Sequence, residues 1–373
     1  MLKIVSVDAY PIRLPLSGAF TTAKGRTLRS HTVIIKITLD SGVTGLGEAT
    51  PVRYVTGESF RSLGPALRSA RCLLINTDPA DWRRTSLLLE RALPQAHTAR
   101  AGIEMALVDA TARSVDQPAY RYLGGNEPCA VVTDQTISVV SPAEATNDAR
   151  VTIERFRGTC RFKIKVDGGG GDLQRILAVA LAAPGSDIKI DANQAFTPKG
   201  AVEFIDSLAK AGVTPSLLEQ PVDKHDIDGL KYVTENVSVP VFADESVLTA
   251  DDARILVDRG AVKGINVKLM KSGIRGALEI AKICRQAGLG LMLGCMLESK
   301  IGLSASLHVA SATGAFEHFD LDSDELISSQ PVEGGFERQG DRLTLLDRPG
   351  LGCELTLSKT QLLVSSALGF YLP

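Results

Sequence analysis

The sequence has few cysteines and no cysteine motif. Its six cysteines are scattered over the 373-residue chain, and no two of them stand in a C-x-x-C spacing. This distribution argues against a disulfide framework and indicates reduced, mostly buried thiols, so we expect a cytoplasmic protein. The five histidines likewise form no motif that would indicate a catalytic or metal site.

Long apolar runs, targeting segments and an excess of charge are also missing. Charges or glycines interrupt every apolar stretch before it reaches 18 residues, so we expect no membrane-spanning helix. The N-terminus has no signal-peptide core or cleavage site. The formal net charge is −2, and no lysine- or arginine-rich run is present. We therefore expect neither a membrane nor a nucleic acid as a partner.

The first 125 residues combine strand and helix patterns. Three strand-like segments predict a meander, at residues 2–14, 32–39 and 43–48, with a turn sequence before the third. Helical patterns follow at residues 63–74, 81–93 and 99–114. We predict an α+β domain over residues 1–125.

A different rhythm begins near residue 131. Short apolar runs alternate with amphipathic helical stretches, at residues 136–140, 162–166, 188–191, 217–219, 241–244, 264–268, 289–294 and 316–321. Alternating strands and helices predict parallel β-α units, and eight such units predict a (β/α)8-type barrel over residues 126–322, with an irregular last unit. Residues 323–373 lack this rhythm, and we expect them to pack back on the N-terminal domain.

Carboxylates end three successive predicted strands. Asp191, Glu219 and Asp244 should converge, because barrel enzymes gather the carboxyl ends of their strands at one mouth. Three crowded carboxylates would repel one another and raise one another's pKa unless a cation binds them. Oxygen ligands favour a hard divalent ion, so we predict Mg²⁺, with Mn²⁺ as the alternative. Separate salt bridges or solvation would explain any one of these residues alone.

Lysines flank the three carboxylates. Lys165 ends the strand before them and Lys268 ends the strand after, so the two should face each other across the metal. A nearby cation lowers the pKa of a lysine, and a neutral lysine can remove a proton. Two bases on opposite faces of a substrate α-carbon predict 1,1-proton transfer, whereas one active base predicts elimination or cycloisomerisation. Charge neutralisation of the carboxylates is the simpler alternative.

The motifs at the strand ends resemble a known family. They are Phe162-Lys163-Ile164-Lys165, Asp191-Ala192-Asn193, Glu219-Gln220-Pro221, Asp244-Glu245-Ser246 and Lys268-Leu269-Met270-Lys271-Ser272-Gly273. In this order and at barrel spacing, they are similar to the muconate-lactonising-enzyme subgroup of the enolase superfamily, over essentially the whole chain. The resemblance implies a modified barrel whose N-terminal α+β capping domain is completed by the C-terminal tail. It also implies that Lys165 and Lys268 are the bases.

The same resemblance implies further roles. The three carboxylates would ligate Mg²⁺, Lys163 would help to hold the substrate carboxylate, and Thr136 would lie near the substrate. Asp320-Leu321-Asp322 is similar to the D-x-D motif of dipeptide epimerases, in which the pair binds the substrate's α-ammonium group. Both side chains face the same way, which fits a cation site beyond the metal. Helix capping or a structural ion pair is the alternative role for this pair.

The resemblance implies Mg²⁺-dependent epimerisation, through an enediolate, at the α-carbon of the C-terminal residue of a dipeptide. Two predicted loops of the capping domain, residues 20–28 and 52–59, would contact the distal part of that substrate. They carry Lys24, Arg26 and Tyr54. A basic distal pocket would favour an acidic second residue, as in L-Ala-D/L-Glu, although basic residues on loops are usually just solvated.

Other activities on the same scaffold stay open. An N-acylamino-acid racemase would need no ammonium site, and a cycloisomerase or dehydratase would leave Asp320 and Asp322 without a role. A non-catalytic metal-binding protein would have lost a ligand or a base, and none is missing from the motifs. A homo-oligomer fits the resemblance, but no feature of the sequence demonstrates it.

Overall fold

The computed structural model describes residues 2–158 and 160–356. The chain begins with an antiparallel meander whose strands, in spatial order, are β1 (Ile4–Thr22), β2 (Gly25–Leu39) and β3 (Thr44–Ala49). Helices follow at α1 (Arg53–Thr56), α2 (Phe60–Leu74), α3 (Trp82–Ala92), α4 (His97–Ser114) and α5 (Ala119–Tyr122). The expected meander and the three expected helices are therefore present; the helices differ slightly at their ends, and β1 and β2 are longer than predicted.

The prediction of a loop at residues 20–28 is wrong. The strands β1 and β2 continue through this segment as a long hairpin, in which Phe20 pairs with Thr27 and Thr22 pairs with Gly25. Gly25 has a φ of 138°, a value that residues with a side chain rarely adopt, so glycine permits the tight turn. The hairpin therefore extends as ordered β structure to the place where the sequence suggested a loop.

The helix α4 joins the N-terminal domain to the rest of the molecule. It packs closely on β3, because a Cβ on Gly47 would lie 1.9 Å from the carbonyl oxygen of Gly102. At its N-terminus, Thr98 Oγ1 donates to the carbonyl oxygen of Met270 at 3.4 Å, and His97 Nδ1 lies 3.1 Å from the carbonyl oxygen of Lys271. The capping domain is thus in direct contact with the barrel segment that follows Lys268.

After a short strand, β4 (Ala130–Val132), the chain forms eight parallel strands that pair in sequence order. They are β5 (Gln135–Ile137), β6 (Arg161–Lys165), β7 (Asp187–Asp191), β8 (Leu217–Glu219), β9 (Val241–Ala243), β10 (Gly264–Val267), β11 (Gly290–Gly294) and β12 (His318–Asp320). The intervening helices are α6 (Pro142–Phe156), α7 (Asp172–Ala182), α8 (Pro198–Lys210), α9 (Ile227–Asn236), α10 (Ala250–Arg259), α11 (Leu269–Ala287) and α12 (Lys300–Thr313), and α13 (Ser323–Leu326) follows β12. The predicted (β/α)8-type barrel is confirmed. Its irregular last unit ends in the four-residue α13.

Hydrogen bonds across the seam between the first and last strands close the barrel. The backbone N–H of Asp134 donates to the carbonyl oxygen of Phe319 at 2.8 Å, and the N–H of Leu321 donates to Thr133 Oγ1 at 2.7 Å. The barrel is therefore nearly closed without a regular ladder between β5 and β12. No helix in the described parts of the chain is both long and apolar enough to cross a bilayer.

The last described residues return to both parts of the molecule. Their strands are β13 (Val332–Gly334), β14 (Phe336–Gln339), β15 (Arg342–Leu345) and β16 (Cys353–Leu355). β15 pairs with β4, and the N–H of Ser328 donates to the carbonyl oxygen of Pro15 in β1 at 2.9 Å. The boundaries 1–125, 126–322 and 323–373 stay a prediction, and the end of the third segment, residues 357–373, lies outside the described residues.

Candidate active site

The strand register brings the predicted site residues to one mouth of the barrel. Lys165 pairs with Asp191, and Asp191 pairs with Glu219, across three neighbouring strands. Asp244 directly follows β9, and Lys268 directly follows β10. Because all these strands are parallel, their carboxyl ends lie together.

The three carboxylates form a buried group that fits a metal ion. Asp191, Glu219 and Asp244 are each 0% exposed, and one oxygen from each lies within 4.8 Å of the others. Burial, followed by the neighbouring Asp191 carboxylate, raises the pKa of Glu219 to about 8. Close packing of negative charge thus opposes ionisation of Glu219, and a divalent cation with oxygen ligands would relieve that repulsion. The donor set therefore fits a hard divalent metal.

Lysine ammonium groups contact this triad from both sides. Lys165 Nζ is hydrogen-bonded to Asp191 Oδ2, and Lys268 Nζ donates to Asp244 Oδ2 at 2.7 Å. Burial acts to raise the pKa of Asp191, but the charges of Lys165 and Lys163 outweigh burial and lower that pKa to about 2. Burial acts to lower the pKa of Lys268, but Asp244 outweighs burial and raises it. Both lysines thus lie within hydrogen-bonding distance of the carboxylates that they flank in sequence.

A third lysine lies deeper in the barrel. Lys163 is 0% exposed, and its Nζ lies 2.8 Å from Glu219 Oε2 and 3.3 Å from Asp191 Oδ2. It also donates to Asp320 Oδ2 at 2.6 Å. Lys163 therefore joins the triad to the acidic motif on the eighth strand.

The acidic motif on the eighth strand lies at the same mouth. Asp322 Oδ2 accepts a hydrogen bond from the backbone N–H of Thr136 at 2.7 Å. Burial and the nearby Asp320 carboxylate raise the pKa of Asp322 to about 7. Both aspartates and Thr136 line the same cavity as Lys165 and Lys268. Ionisation of the second carboxylate is unfavourable beside the first, and a nearby positive charge would make it favourable. The arrangement can therefore accept a further cationic group.

The cavity above these residues has a volume of about 460 Å³. Its floor carries the two lysines and the aspartates, and its cover comes from the capping domain, including Lys24, Arg26 and Tyr54. Lys24 and Arg26 are exposed, while Tyr54 is half-buried. The structure therefore brings together all the residues that the sequence suggested for the site, with the two basic side chains at its solvent-facing rim.

Several polar residues that support the site were not given a role from the sequence. Asn266 Nδ2 donates to Glu219 Oε1 at 2.7 Å, and Gln220 Oε1 accepts from the backbone N–H of Asp244 at 2.9 Å. Lys271 Nζ donates to Asp244 Oδ1 at 2.6 Å. Gln220 and Lys271 stand within the strand-end motifs, and Asn266 lies two residues before Lys268, so the motifs and nearness to a strand-end lysine were the available signals.

Comparison with protein families places both parts of the chain. Residues 2–124 match the mandelate racemase / muconate lactonizing enzyme N-terminal domain, and residues 147–359 match the enolase C-terminal domain-like family. The two matches correspond to the capping domain and to the barrel from α6 onward, together with the four described C-terminal strands β13 to β16.

Individual relatives align over nearly their full length. The chain is 34% identical over 355 residues to the L-Ala-D/L-Glu epimerase of Bacillus subtilis (strain 168). The alignment covers 94% of this chain and 96% of the relative. It is 37% identical over 363 residues to the hydrophobic dipeptide epimerase of Citrifermentans bemidjiense. That alignment covers 94% of this chain and 98% of the relative. Its structure is similar to that of the dipeptide epimerase from Enterococcus faecalis V583 complexed with Mg and L-Leu-L-Tyr. That comparison has a TM-score of 0.89 at 34% identity and covers 94% of this chain and 99% of the other.

Proposed function

Because this chain belongs to the mandelate racemase and muconate lactonizing enzyme group of the enolase superfamily, we propose that it is a Mg²⁺-dependent dipeptide epimerase. The reaction would invert the α-carbon of the C-terminal residue of a dipeptide. The observation that carries this proposal is the pair of lysines, Lys165 and Lys268, on opposite sides of one buried carboxylate triad, with Asp320 and Asp322 lining the same cavity.

The triad of Asp191, Glu219 and Asp244 would hold the metal, with Mn²⁺ as the alternative ion. When bound, the metal would supply positive charge that favours removal of a proton next to the substrate carboxylate. Lys163, which already contacts two of the three ligands, would help to hold that carboxylate.

Lys165 and Lys268 would carry the proton. One lysine, in its neutral form, would remove the α-proton from its own face of the substrate to leave an enediolate. The other, as an ammonium group, would return a proton to the opposite face. Because each lysine serves one face, the reverse reaction would use the same two groups with their roles exchanged.

The remaining cavity residues would set which molecules bind. Asp320 and Asp322 would receive the α-ammonium group of the dipeptide, whose positive charge would favour ionisation of Asp322, a carboxyl whose pKa is raised. Thr136 would lie beside them. Lys24 and Arg26 at the rim, with Tyr54, would favour a dipeptide whose second residue is acidic. A homo-oligomer and a cytoplasmic location stay predictions.

The proposal is tested by deuterium exchange at carbon. The purified enzyme is supplied with Mg²⁺ in D₂O and a mixed library of L,L-dipeptides, and mass spectrometry follows deuterium at the α-carbon. We expect label and L,D products for a subset of dipeptides, with the fastest labelling for acidic C-terminal residues. No label in any dipeptide would contradict the proposal, and label in N-acylamino acids instead would favour the racemase alternative.

Single-lysine variants test, in the same assay, whether each lysine exchanges the α-proton on one face of the substrate. With Lys165→Met or Lys268→Met, epimerisation should be lost because one face has no proton donor. Each variant should still exchange the α-proton of the one epimer that faces its remaining lysine. The two variants should therefore label opposite epimers, and loss of exchange from both epimers in either variant would contradict a two-base mechanism.

A further inference from the structure

The segment of residues 52–59 covers the reactive end of the cavity and is bound by a side chain from the barrel. This segment contains the four-residue helix α1, and Val52, Tyr54 and Glu58 line the cavity. Near the C-terminal end of α1, Lys224 Nζ donates to the carbonyl oxygens of Tyr54 at 3.1 Å and of Val55 at 2.9 Å. A lysine at this position satisfies carbonyl groups that have no partner within so short a helix.

The backbone of Lys224 is itself fixed to the loops that carry the metal-site residues. Its N–H donates to Gln194 Oε1 at 3.1 Å, and its carbonyl oxygen accepts from Ser246 Oγ at 2.9 Å. Gln194 lies three residues after Asp191, and Ser246 lies two residues after Asp244. The ammonium group thus connects the cover of the cavity to two of the three strand ends that present the carboxylates.

The C-terminal end of the segment is bound to the capping domain. Glu58 is 6% exposed, and its carboxylate accepts from the backbone N–H groups of Thr98 at 2.7 Å and of Ala99 at 3.4 Å. These groups belong to the first turn of α4, where a carboxylate is favourable. Glu58 therefore holds the segment to its own domain, whereas Lys224 holds it to the barrel.

Tyr54 is the residue that this connection would control. Its side chain lines the cavity together with Lys268, Asp244 and Asn193. Burial, followed by the Glu245 carboxylate, raises the pKa of the phenol, so the hydroxyl stays protonated and can donate a hydrogen bond. A small movement of the Tyr54 backbone would move this donor relative to the metal-site residues.

We propose that Lys224 is a positioning residue that bonds the backbone of residues 54 and 55 to the barrel and thereby keeps Tyr54 closed over the bound substrate. The part that concerns substrate rests on the proposed dipeptide epimerase function. The part that concerns the closed segment does not, because the two hydrogen bonds join protein atoms alone.

The first test is amide hydrogen exchange in the protein without substrate. The N–H groups of Val55, Thr56 and Gly57 are bonded within α1 and report on its opening. In Lys224→Met, we expect these amides to exchange at least about tenfold faster, with little change elsewhere. Lys231→Met, which removes an exposed lysine from the neighbouring α9, is the matched control and should leave them unchanged. Unchanged exchange in Lys224→Met would overturn the proposal.

The second test is steady-state kinetics with the dipeptide that the wild-type enzyme epimerises. We expect Lys224→Met to raise KM by about tenfold with kcat within about twofold and unchanged Mg²⁺ affinity by calorimetry, because the variant keeps the triad and both bases. Lys224→Arg can still donate to both carbonyls and should restore most of the wild-type KM. Equal losses of kcat in Lys224→Met and Lys224→Arg would contradict a positioning role.

The two tests separate the proposals. Wild-type protein that turns over no dipeptide would contradict the epimerase function, while the exchange result would still decide whether Lys224 closes the segment. If Lys224→Met does not fold, Lys224→Gln removes the charge while keeping polarity, and the same exchange and kinetic outcomes apply to it.

Discussion

Lys271 lies behind the carboxylate triad, where it contacts Asp244 and not the cavity. Its ammonium group donates to Asp244 Oδ1 and to the carbonyl oxygen of Asp244, both at 2.6 Å, and to the carbonyl oxygen of Asn266 at 2.8 Å. It is 1% exposed. These three bonds fix both the side chain and the backbone of Asp244, so Lys271 orients a carboxylate that would ligate the metal.

Lys271→Met should therefore weaken metal binding. Loss of the donor leaves Asp244 Oδ1 without this partner and the carboxylate held by Lys268 alone among the lysines. Supporting residues of this kind typically contribute 10–100-fold to metal affinity, so we expect Kd for Mg²⁺ to rise by at least about tenfold. Isothermal titration calorimetry with Mg²⁺ measures this without any substrate. Lys282→Met removes an exposed lysine from the same helix and is the control. An unchanged Kd would show that Asp244 is held by other contacts.

At the scale of single residues, the sequence predicted the site residues that end strands and missed those that support them. Asp191 and Glu219 could be found because a parallel barrel carries every strand end to one place. Glu48 could not be found, although its carboxylate accepts from Ser299 Oγ at 2.6 Å. The two residues are 251 positions apart, and no local pattern in the sequence relates a capping strand to that barrel loop.

The helix α11 is interrupted at Gly273, one turn after it begins. This residue has φ 67° and ψ −178°, a conformation that is open almost only to glycine. A Cβ there would lie 2.5 Å from Glu104 Oε2, and the same oxygen accepts from the backbone N–H of Arg275 at 3.0 Å. The break thus lets a buried carboxylate of α4 reach the start of the continuing helix and hold the two domains together.

Gly273→Ala should destabilise the protein more than a glycine replacement of similar φ elsewhere. We expect a loss of about 3 kcal/mol in the free energy of unfolding, from backbone strain and from displacement of Glu104. Gly260→Ala is the control: φ is +60°, and its Cβ would meet nothing within 4 Å, so it should cost only about 1 kcal/mol. Urea denaturation measures both. Equal losses would mean that the contact with Glu104 contributes nothing.

At the scale of elements, the barrel strands were predictable to within a few residues. For example, Leu217–Glu219 was predicted with its observed limits. The hairpin of β1 and β2 was not, since polar residues such as Thr22 and Lys24 suggest a loop when read locally. The strands there are stabilised by pairing with each other and not by an apolar alternation of their own.

At the scale of the whole molecule, a buried ion pair links the start of β5 to β7, across the intervening strand β6. Asp134, just before β5, is 0% exposed and bonded to Lys189 in β7, which is 1% exposed. The backbone N–H of Asp134 also donates across the seam to Phe319. Removal of one member would leave a buried charge without a close partner.

Asp134→Ala should lower the free energy of unfolding by about 3–5 kcal/mol, because Lys189 would remain buried and keep only the more distant Asp187, at 3.8 Å, as an acidic partner. The double variant Asp134→Leu with Lys189→Met replaces both charges with apolar groups and should recover most of this loss. Glu235→Ala breaks an exposed pair with Lys231 and should change stability by less than about 1 kcal/mol. Chemical denaturation measures all three. A double variant as unstable as Asp134→Ala would contradict the explanation by unpaired charge.

The contact between β1 and the segment after α13 has a consequence for the synthesis of the protein on the ribosome. Ser328 binds the carbonyl oxygen of Pro15 through both its N–H and its hydroxyl, across 313 positions of the chain. A ribosome that adds roughly 5–20 residues per second needs about 15–60 s to cover that distance. The hairpin that covers the cavity is thus among the first parts to leave the ribosome and among the last to find its neighbours. A nascent chain of this protein therefore carries a sheet edge without its Ser328 contact throughout most of its translation. During that time, chaperones would protect the exposed edge.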